Sequence, residues 1–197
     1  MSYLNHLTSA ALHQMKGVYL TEFVEFAEQR YSLKTADAML EPRGLPSAGI
    51  YTQVGTYDHY ELTELAQRLS RLTSVPAPQL FREFGQYLYS RLAGQYARMC
   101  VAYKDCLTLM EHVHTHIHHE VRKLYPDAET PTLKAERIDA DHLVLHYESA
   151  RGFADLAEGL IRGCAEHFGE NITVTRDDAL HARGTHACFR LTRYPNP

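Results

Sequence analysis

Histidines concentrate in one short segment of this chain. The sequence holds 13 histidines, and five of them lie between His112 and His119. A neutral imidazole is a common metal ligand, so the cluster is a candidate metal site. His112, His114, His116 and His118 recur at every second residue. That spacing would place all four on one face of a β-strand.

The apolar residues around the cluster predict a helix instead. They follow one another at helical steps, as Met110, Val113, Ile117, Val121 and Leu124. We therefore predict one long helix over residues 104–124, which Pro126 brings to an end.

On a helix the histidines separate into two groups, because two residues span about 200° of rotation. His114 and His118 share the inward face with the apolar set. The others, His112, His116 and His119, are expected at the surface. A zinc site on His114 and His118 would lack a third ligand nearby in sequence. A single inward imidazole can also hold heme iron from the proximal side.

A second group of polar side chains lies at the end of a predicted strand. Alternate residues share a face of a strand, so Tyr147, Ser149 and Arg151 can point the same way. Two hydroxyl groups and one guanidinium suit carboxylates, because arginine binds them in a bidentate fashion and hydroxyls donate to the remaining lone pairs. The propionates of heme are one such ligand. A surface arginine beside polar strand residues is the ordinary alternative.

Length and composition limit the classes of protein. The chain has 197 residues and a formal net charge of −4, which suits one domain and argues against nonspecific nucleic-acid binding. No apolar run approaches the ~18 residues of a membrane span, and the start resembles no signal peptide. We expect a cytoplasmic protein with an extension at 1–14 and one domain at 15–193. The four cysteines lack metal-finger spacing and are expected to be free.

Hydrophobic periodicity predicts helices first and strands later. Helical spacing covers residues 18–27, 59–72, a segment opened by Pro76 and Pro78, 104–124 and 152–168. Strand patterns cover 134–138, 142–149, 171–176 and 186–192. Residues 33–57 are predicted to be loop with one short helix near 36–40. This order predicts an α+β fold with an antiparallel sheet.

Several segments together resemble the H-NOX family, the heme–nitric oxide/oxygen binding domains related to the heme domain of soluble guanylate cyclase. They are the YxSxR motif at 147–151, His118 ahead of KLYP at 123–126, MKG at 15–17, FGQYL at 84–88 and AEGLI at 157–161. The resemblance spans residues 15–193 and implies a stand-alone bacterial member. Its fold would join a helical N-terminal subdomain to a C-terminal subdomain with a four-stranded antiparallel sheet packed with helices, and heme would lie between them.

The resemblance also implies site residues for heme b. His118 would be the proximal ligand of the iron, and Pro131 would pack on the heme and bend the macrocycle. The propionates would be bound by Tyr147, Ser149 and Arg151. The distal side would be lined by Tyr19, Phe23, Leu88 and Leu92.

The distal residues bear on which gas binds. Bound O₂ is stabilised by a hydrogen-bond donor, whereas nitric oxide (NO) binds ferrous heme tightly without one. Oxygen-binding family members carry a tyrosine at the position of Leu156, and Leu88 likewise replaces a polar residue. We therefore expect a sensor of NO and CO that excludes O₂, unless the hydroxyl of Tyr19 reaches the bound gas.

The signalling hypothesis follows from the bond between His118 and iron. NO weakens the bond opposite to it, so the 104–124 helix would be released and the heme could relax against Pro131. The resemblance implies a separate histidine kinase or cyclic-di-GMP enzyme as the partner, and no catalysis by this chain.

Some bacterial members hold zinc near the C-terminus through three cysteines and a histidine. At the matching positions this chain has Phe153, Arg176, Ala179 and Cys188. We therefore expect no zinc at that place, although His181 and His186 could form another site with Cys188.

Two other classes of function stay open. A metal-dependent enzyme could use the histidine cluster with a carboxylate such as Glu111 or Glu120. A binding module could keep the fold and take another apolar ligand in place of heme.

Overall fold

The computed structural model describes residues 14–126, 128–179 and 183–195, with the side chains of 98 and 99 left aside. The chain divides into two compact units, the first ending at Leu80 and the second beginning at Phe81. Most of the predicted extension, residues 1–13, lies outside the described residues, and Gln14 already begins a strand.

The first unit is mainly helical. Its elements are β1 (Gln14–Lys16), α1 (Gly17–Arg30), α2 (Leu33–Met39), β2 (Thr56–Asp58) and α3 (His59–Thr73). The two short strands pair in antiparallel fashion, with Met15 opposite Tyr57. The core contains the fully buried side chains of Leu20, Phe23, Met39, Leu62, Leu65 and Leu69. The helices predicted at 18–27 and 59–72 are confirmed.

The predicted loop between α2 and β2 is held by a buried carboxylate. The side chain of Glu61 on α3 accepts hydrogen bonds from the hydroxyls of Ser47 at 2.7 Å and Tyr51 at 3.0 Å. Burial, followed by the Glu61 carboxylate, raises the pKa of the Tyr51 phenol, so the hydroxyl keeps its proton and donates.

The second unit contains the sheet. Its elements are the greater part of α4 (Ala77–Gln95), then α5 (Ala97–Cys100), α6 (Cys106–His112), a π-helical turn (Val113–Ile117), α7 (His118–Leu124), β3 (Thr132–Arg137), β4 (His142–Glu148), α8 (Ala154–His167), β5 (Asn171–Asp178) and β6 (His186–Tyr194). The strand order is β3-β4-β6-β5, and every neighbouring pair is antiparallel. The α+β class and the four-stranded antiparallel sheet are therefore confirmed.

One face of the sheet carries the core of this unit. Its buried strand residues include Leu143, Leu145, Val174, Phe189 and Leu191, which pack with Leu107 and Leu109 of α6 and Ile161 and Cys164 of α8. Both predicted hairpins are present. In the first, the backbone N–H of His142 donates to the side chain of Asp139 at 2.9 Å, and in the second Arg183 and Gly184 adopt positive φ values.

The helices of the described ranges include none with the length and hydrophobicity of a membrane span. The thiols are free, as expected, with Cys106 and Cys164 buried and Cys100 and Cys188 half-buried.

Candidate functional site

The segment that carries the histidines is not one regular helix. The α-helix of α6 gives way to a π-helical turn at Val113–Ile117 before α7 begins at His118. The prediction of a single helix over 104–124 is therefore wrong at its centre. A π-turn holds one extra residue, so the side chains beyond it are rotated relative to those before it, and such turns are frequent at functional sites.

The rotation changes which residues face the core. Met110, before the turn, is buried, whereas Val121, after it, is only half-buried. The predicted apolar face also included Leu124, and that placement is wrong because its side chain is 57% exposed. No residue of α7 is fully buried.

His118 differs from the other histidines of the cluster. Its Nδ1 atom is buried and has no hydrogen-bond partner among the described residues. Burial lowers the pKa of the imidazole to about 4, with smaller contributions from His114 and Arg122. The ring is therefore neutral at physiological pH, which is the state that binds a metal. The rings of His114 and His118 meet edge to face with centroids 6.0 Å apart.

The neighbouring histidines use their Nδ1 atoms in other contacts. Nδ1 of His114 accepts a hydrogen bond from the backbone N–H of Leu133 at 3.4 Å. Nδ1 of His112 lies 2.9 Å from the carbonyl of Thr108. His112 and His119 are exposed, as predicted. His116 does not simply face solvent, because it is half-buried and hydrogen-bonds Tyr103.

Pro131 lies just before β3, and its backbone is close to His118. Its carbonyl is near enough to the imidazole to favour the protonated form, although this is the smallest of the effects on the pKa of His118. The structure thus brings Pro131 and His118 together, and the predicted packing of Pro131 on heme stays a prediction.

The predicted carboxylate site is partly assembled. The side chain of Arg151 is only 11% exposed, and its guanidinium donates to Glu129 twice, to the carbonyl oxygen at 3.0 Å and to Oε2 at 3.1 Å. Oγ of Ser149 accepts from the backbone N–H of Arg151 at 3.3 Å. Tyr147, two residues before Ser149, is buried, and the centroid of its ring lies 6.2 Å from that of Phe189. The structure therefore joins Ser149 to Arg151, and it adds a carboxylate that the sequence analysis had not singled out.

Three of the predicted distal residues lie on two helices that touch. A Cβ at Gly85 of α4 would come within 2.5 Å of the backbone oxygen of Leu156 on α8. Leu156 and Leu88 are buried, and Leu92 is half-buried. These side chains are apolar, as the prediction of a distal pocket without donors requires.

The remaining two predicted distal residues belong to α1 in the first unit. Phe23 is fully buried, with its ring 5.9 Å from that of Phe26, and Tyr19 is half-buried. Their predicted position beside a bound gas stays a prediction.

Comparison with known proteins decides the family. The sequence profile of the Haem-NO-binding family matches residues 16–176. The chain belongs to the H-NOX family. The solved structure of the Fe(II) unliganded H-NOX protein from K. algicida is 32% identical with a TM-score of 0.87, covering 92% of this chain and 98% of that chain. The IWP-051-bound H-NOX from Shewanella woodyi in the Fe(II)CO state is 40% identical with a TM-score of 0.77, covering 92% and 95%.

A third H-NOX structure shows the fold alone. The protein from S. oneidensis in the Fe(II)NO state is 24% identical with a TM-score of 0.82, covering 92% of this chain and 100% of that chain. No curated protein sequence matches the chain. H-NOX proteins are heme-based gas sensor domains and not enzymes.

The carboxylates considered for a metal-dependent enzyme, the alternative to an H-NOX sensor, are held in ion pairs. Glu111 pairs with Arg137 at 3.1 Å, and Glu120 pairs with Lys123 at 2.7 Å. Within the described ranges, no group of three or more His, Cys, Asp or Glu residues could hold a metal ion.

At the family's zinc position this H-NOX chain has other contacts. Arg176 pairs with Asp155 at 2.9 Å, and the ring of Phe153 packs on Phe81 at 5.5 Å. His181, considered with His186 and Cys188, lies outside the described residues.

Proposed function

We propose that this H-NOX domain binds heme b through His118 and senses NO and CO. One observation carries the proposal, namely that His118 is a half-buried, neutral imidazole whose Nδ1 is buried and has no hydrogen-bond partner among the described residues. A neutral imidazole is what a proximal heme ligand requires. Ferrous heme would supply the open coordination position for a diatomic gas. The protein would bind the iron through His118 and would respond when that bond changes.

Tyr147, Ser149 and Arg151 would bind the propionates. The pairing of Arg151 with the Glu129 carboxylate supports this role, because a guanidinium that donates to one carboxylate can donate to another. A propionate would compete with Glu129 for Arg151. Heme binding would in that case release the Glu129 side chain, which is 36% exposed and can turn to solvent. Pro131 would press on the heme from the same side as His118.

Selectivity for NO and CO over O₂ would follow from the apolar distal residues. Leu156 and Leu88 offer no hydrogen-bond donor to a bound gas, and Phe23 and Leu92 are apolar as well. CO binding is supported by the 40% identical relative from Shewanella woodyi, which is described in an Fe(II)CO state. Tyr19 is the one hydroxyl in this predicted set.

Signalling would start at α7. His118 is its first residue, and no residue of α7 is fully buried, so few core contacts oppose its movement once the iron no longer holds the imidazole. The signal would be transmitted in the cytoplasm to a separate histidine kinase or cyclic-di-GMP enzyme.

The test is the ultraviolet–visible spectrum of the reduced protein, before and after NO and then air. We expect a Soret band of five-coordinate ferrous heme, a shift with NO or CO, and none of the bands of an oxygen complex in air. His118→Gly should lose the five-coordinate spectrum and regain it with added imidazole, whereas the neighbouring His114→Gly should keep it. Colourless protein that does not take up hemin, or His118→Gly with the unchanged spectrum, would overturn the proposal.

A further inference from the structure

Tyr103 makes an unusual set of contacts beside the π-turn. It lies in the turn between α5 and α6, where its backbone N–H donates to the carbonyl of Cys100 at 3.0 Å. Its ring contacts two histidines, with centroids 5.8 Å from His112 and 5.8 Å from His116. Its hydroxyl also shares a hydrogen bond with Nδ1 of His116. The ring of Tyr103 thus contacts both α6 and the π-turn, whereas its hydroxyl bonds only the π-turn.

The segment before the π-turn is firmly fixed. The side chain of Asp105 caps the start of α6 by accepting from the backbone N–H of Thr108 at 2.7 Å. The backbone N–H of Cys106 donates to the Glu170 carboxylate at 2.7 Å. Four of the seven residues of α6 are buried in the core. Tyr103, adjacent to this segment, is therefore attached to a rigid part of the unit.

The segment after the π-turn has fewer supports. Among the described contacts of α7, Arg122 donates to the hydroxyl of Thr130 at 2.7 Å, and Lys123 pairs with Glu120 of the same helix. A π-helical turn is rare and occurs mostly as a single turn inserted between α-helical segments. His118 immediately follows this turn, so the conformation of the turn sets the direction of its imidazole.

We propose that Tyr103 is a positioning residue for the heme ligand. By bonding His116 inside the π-turn, it holds the turn in the conformation that aims His118 and resists the departure of His118 from the iron. This rests on the proposed function, in which His118 binds iron. Tyr103 itself would touch neither heme nor gas.

The test uses the whole heme-loaded chain and begins with three variants. Tyr103→Phe removes only the hydroxyl, and His116→Ala removes its partner. His112→Ala is the matched control, because that ring lies at the same distance from Tyr103 but its Nδ1 faces the Thr108 carbonyl instead. The first readout is the iron–histidine stretching frequency of the ferrous protein by resonance Raman. The second is the rate at which the NO complex loses the histidine.

We expect Tyr103→Phe and His116→Ala each to lower the stretching frequency. Each should also speed loss of the histidine about fivefold, the effect of one ordinary hydrogen bond. The double variant should add nothing further, because both changes remove the same interaction. His116→Asn, which keeps an acceptor near the position of Nδ1, should restore part of the wild-type values. His112→Ala should match the wild type.

Failure of this inference can be told from failure of the proposed function. A wild-type protein without an iron–histidine stretch would overturn the proposed function and this inference with it. A normal wild-type stretch that stays unchanged in both Tyr103→Phe and His116→Ala would overturn the positioning role alone. Equal shifts in His112→Ala would also overturn it, because ring packing rather than the hydroxyl would then be responsible. Since His116→Ala leaves the Tyr103 ring in place, it decides the question even if Tyr103→Phe misfolds.

Discussion

Gly85 of α4 and Gly159 of α8 bring their helices into backbone contact. A Cβ added at Gly85 would lie 2.7 Å from the Cα of Gly159, and one added at Gly159 would lie 2.8 Å from the Cα of Gly85. Side chains never approach backbone atoms this closely, so only glycine fits at either position. The crossing fixes the distance between α4, which carries Leu88, and α8, which carries Leu156.

Gly159→Ala should therefore destabilise the domain. Its Cβ would lie 2.2 Å from the backbone oxygen of Arg82 and would force the helices apart, at a cost of roughly 1–3 kcal/mol. Gly94→Ala on α4 is the control, because a Cβ there meets nothing within 4 Å and should stabilise the helix by up to about 1 kcal/mol. Urea unfolding measures both. Equal stability of the two variants would show that the helices do not cross in contact at Gly159.

Leu156→Tyr should convert the proposed NO and CO sensor toward O₂ binding. By the resemblance, the buried leucine would occupy the position where oxygen-binding family members carry a tyrosine, and the added hydroxyl would donate to bound O₂. Leu156→Phe adds a ring of almost the same size without the donor. The measurement is the spectrum of the reduced variants in air. We expect an oxygen complex for Leu156→Tyr alone, and a similar complex in both variants would contradict a role for the hydroxyl.

Two arginines on neighbouring strands should differ in their importance for stability. Arg176 is 17% exposed and pairs with Asp155 and Glu158, whereas Arg190 is 54% exposed and pairs with Asp177, itself 74% exposed. Arg176→Met should cost about 2 kcal/mol, because it leaves partly buried carboxylates with fewer partners. Arg190→Met should change stability by less than about 0.5 kcal/mol. Chemical denaturation that ranks them in the opposite order would contradict the assignment.

The helix cap at Asp105 should make stability depend on acidity. Burial acts to raise the pKa of this carboxyl, but hydrogen bonds from Thr108 and the charge of Arg193 outweigh it, so the pKa is lowered. As the pH falls, the unfolded chain therefore takes up the proton first. The stabilisation is complete above the ordinary pKa of about 4 and is lost as the pH falls through the lower folded value.

Asp105→Asn isolates this effect, since asparagine also caps helices but carries no charge. We expect the difference in unfolding free energy between wild type and Asp105→Asn to be largest at neutral pH and to shrink in acid. Urea titrations over a series of pH values measure it. A difference that is constant down to pH values below the folded pKa would show that the charge of Asp105 does not stabilise the domain.

The elements of the sheet could be predicted because their patterns are local. The residues of β4 alternate between buried and exposed positions, and α8 carries an apolar stripe at helical spacing. His118 was likewise selected by its place on an apolar face and by its family motif. The π-turn could not be predicted in this way, because the apolar residues keep helical steps of three and four across it, from Met110 to Val121.

The sequence by itself determined the fold class, the family and the imidazole proposed to hold iron, since periodicity and motif spacing are properties of neighbouring residues. Only the tertiary structure decided that His118 follows a π-turn, that Tyr103 bonds His116 and that Arg151 already holds a carboxylate, that of Glu129. The physical reason is distance along the chain. Arg151 and Glu129 are 22 residues apart and Tyr103 and His116 are 13 residues apart. Such pairs meet only when the packing of whole elements brings them within the reach of a hydrogen bond.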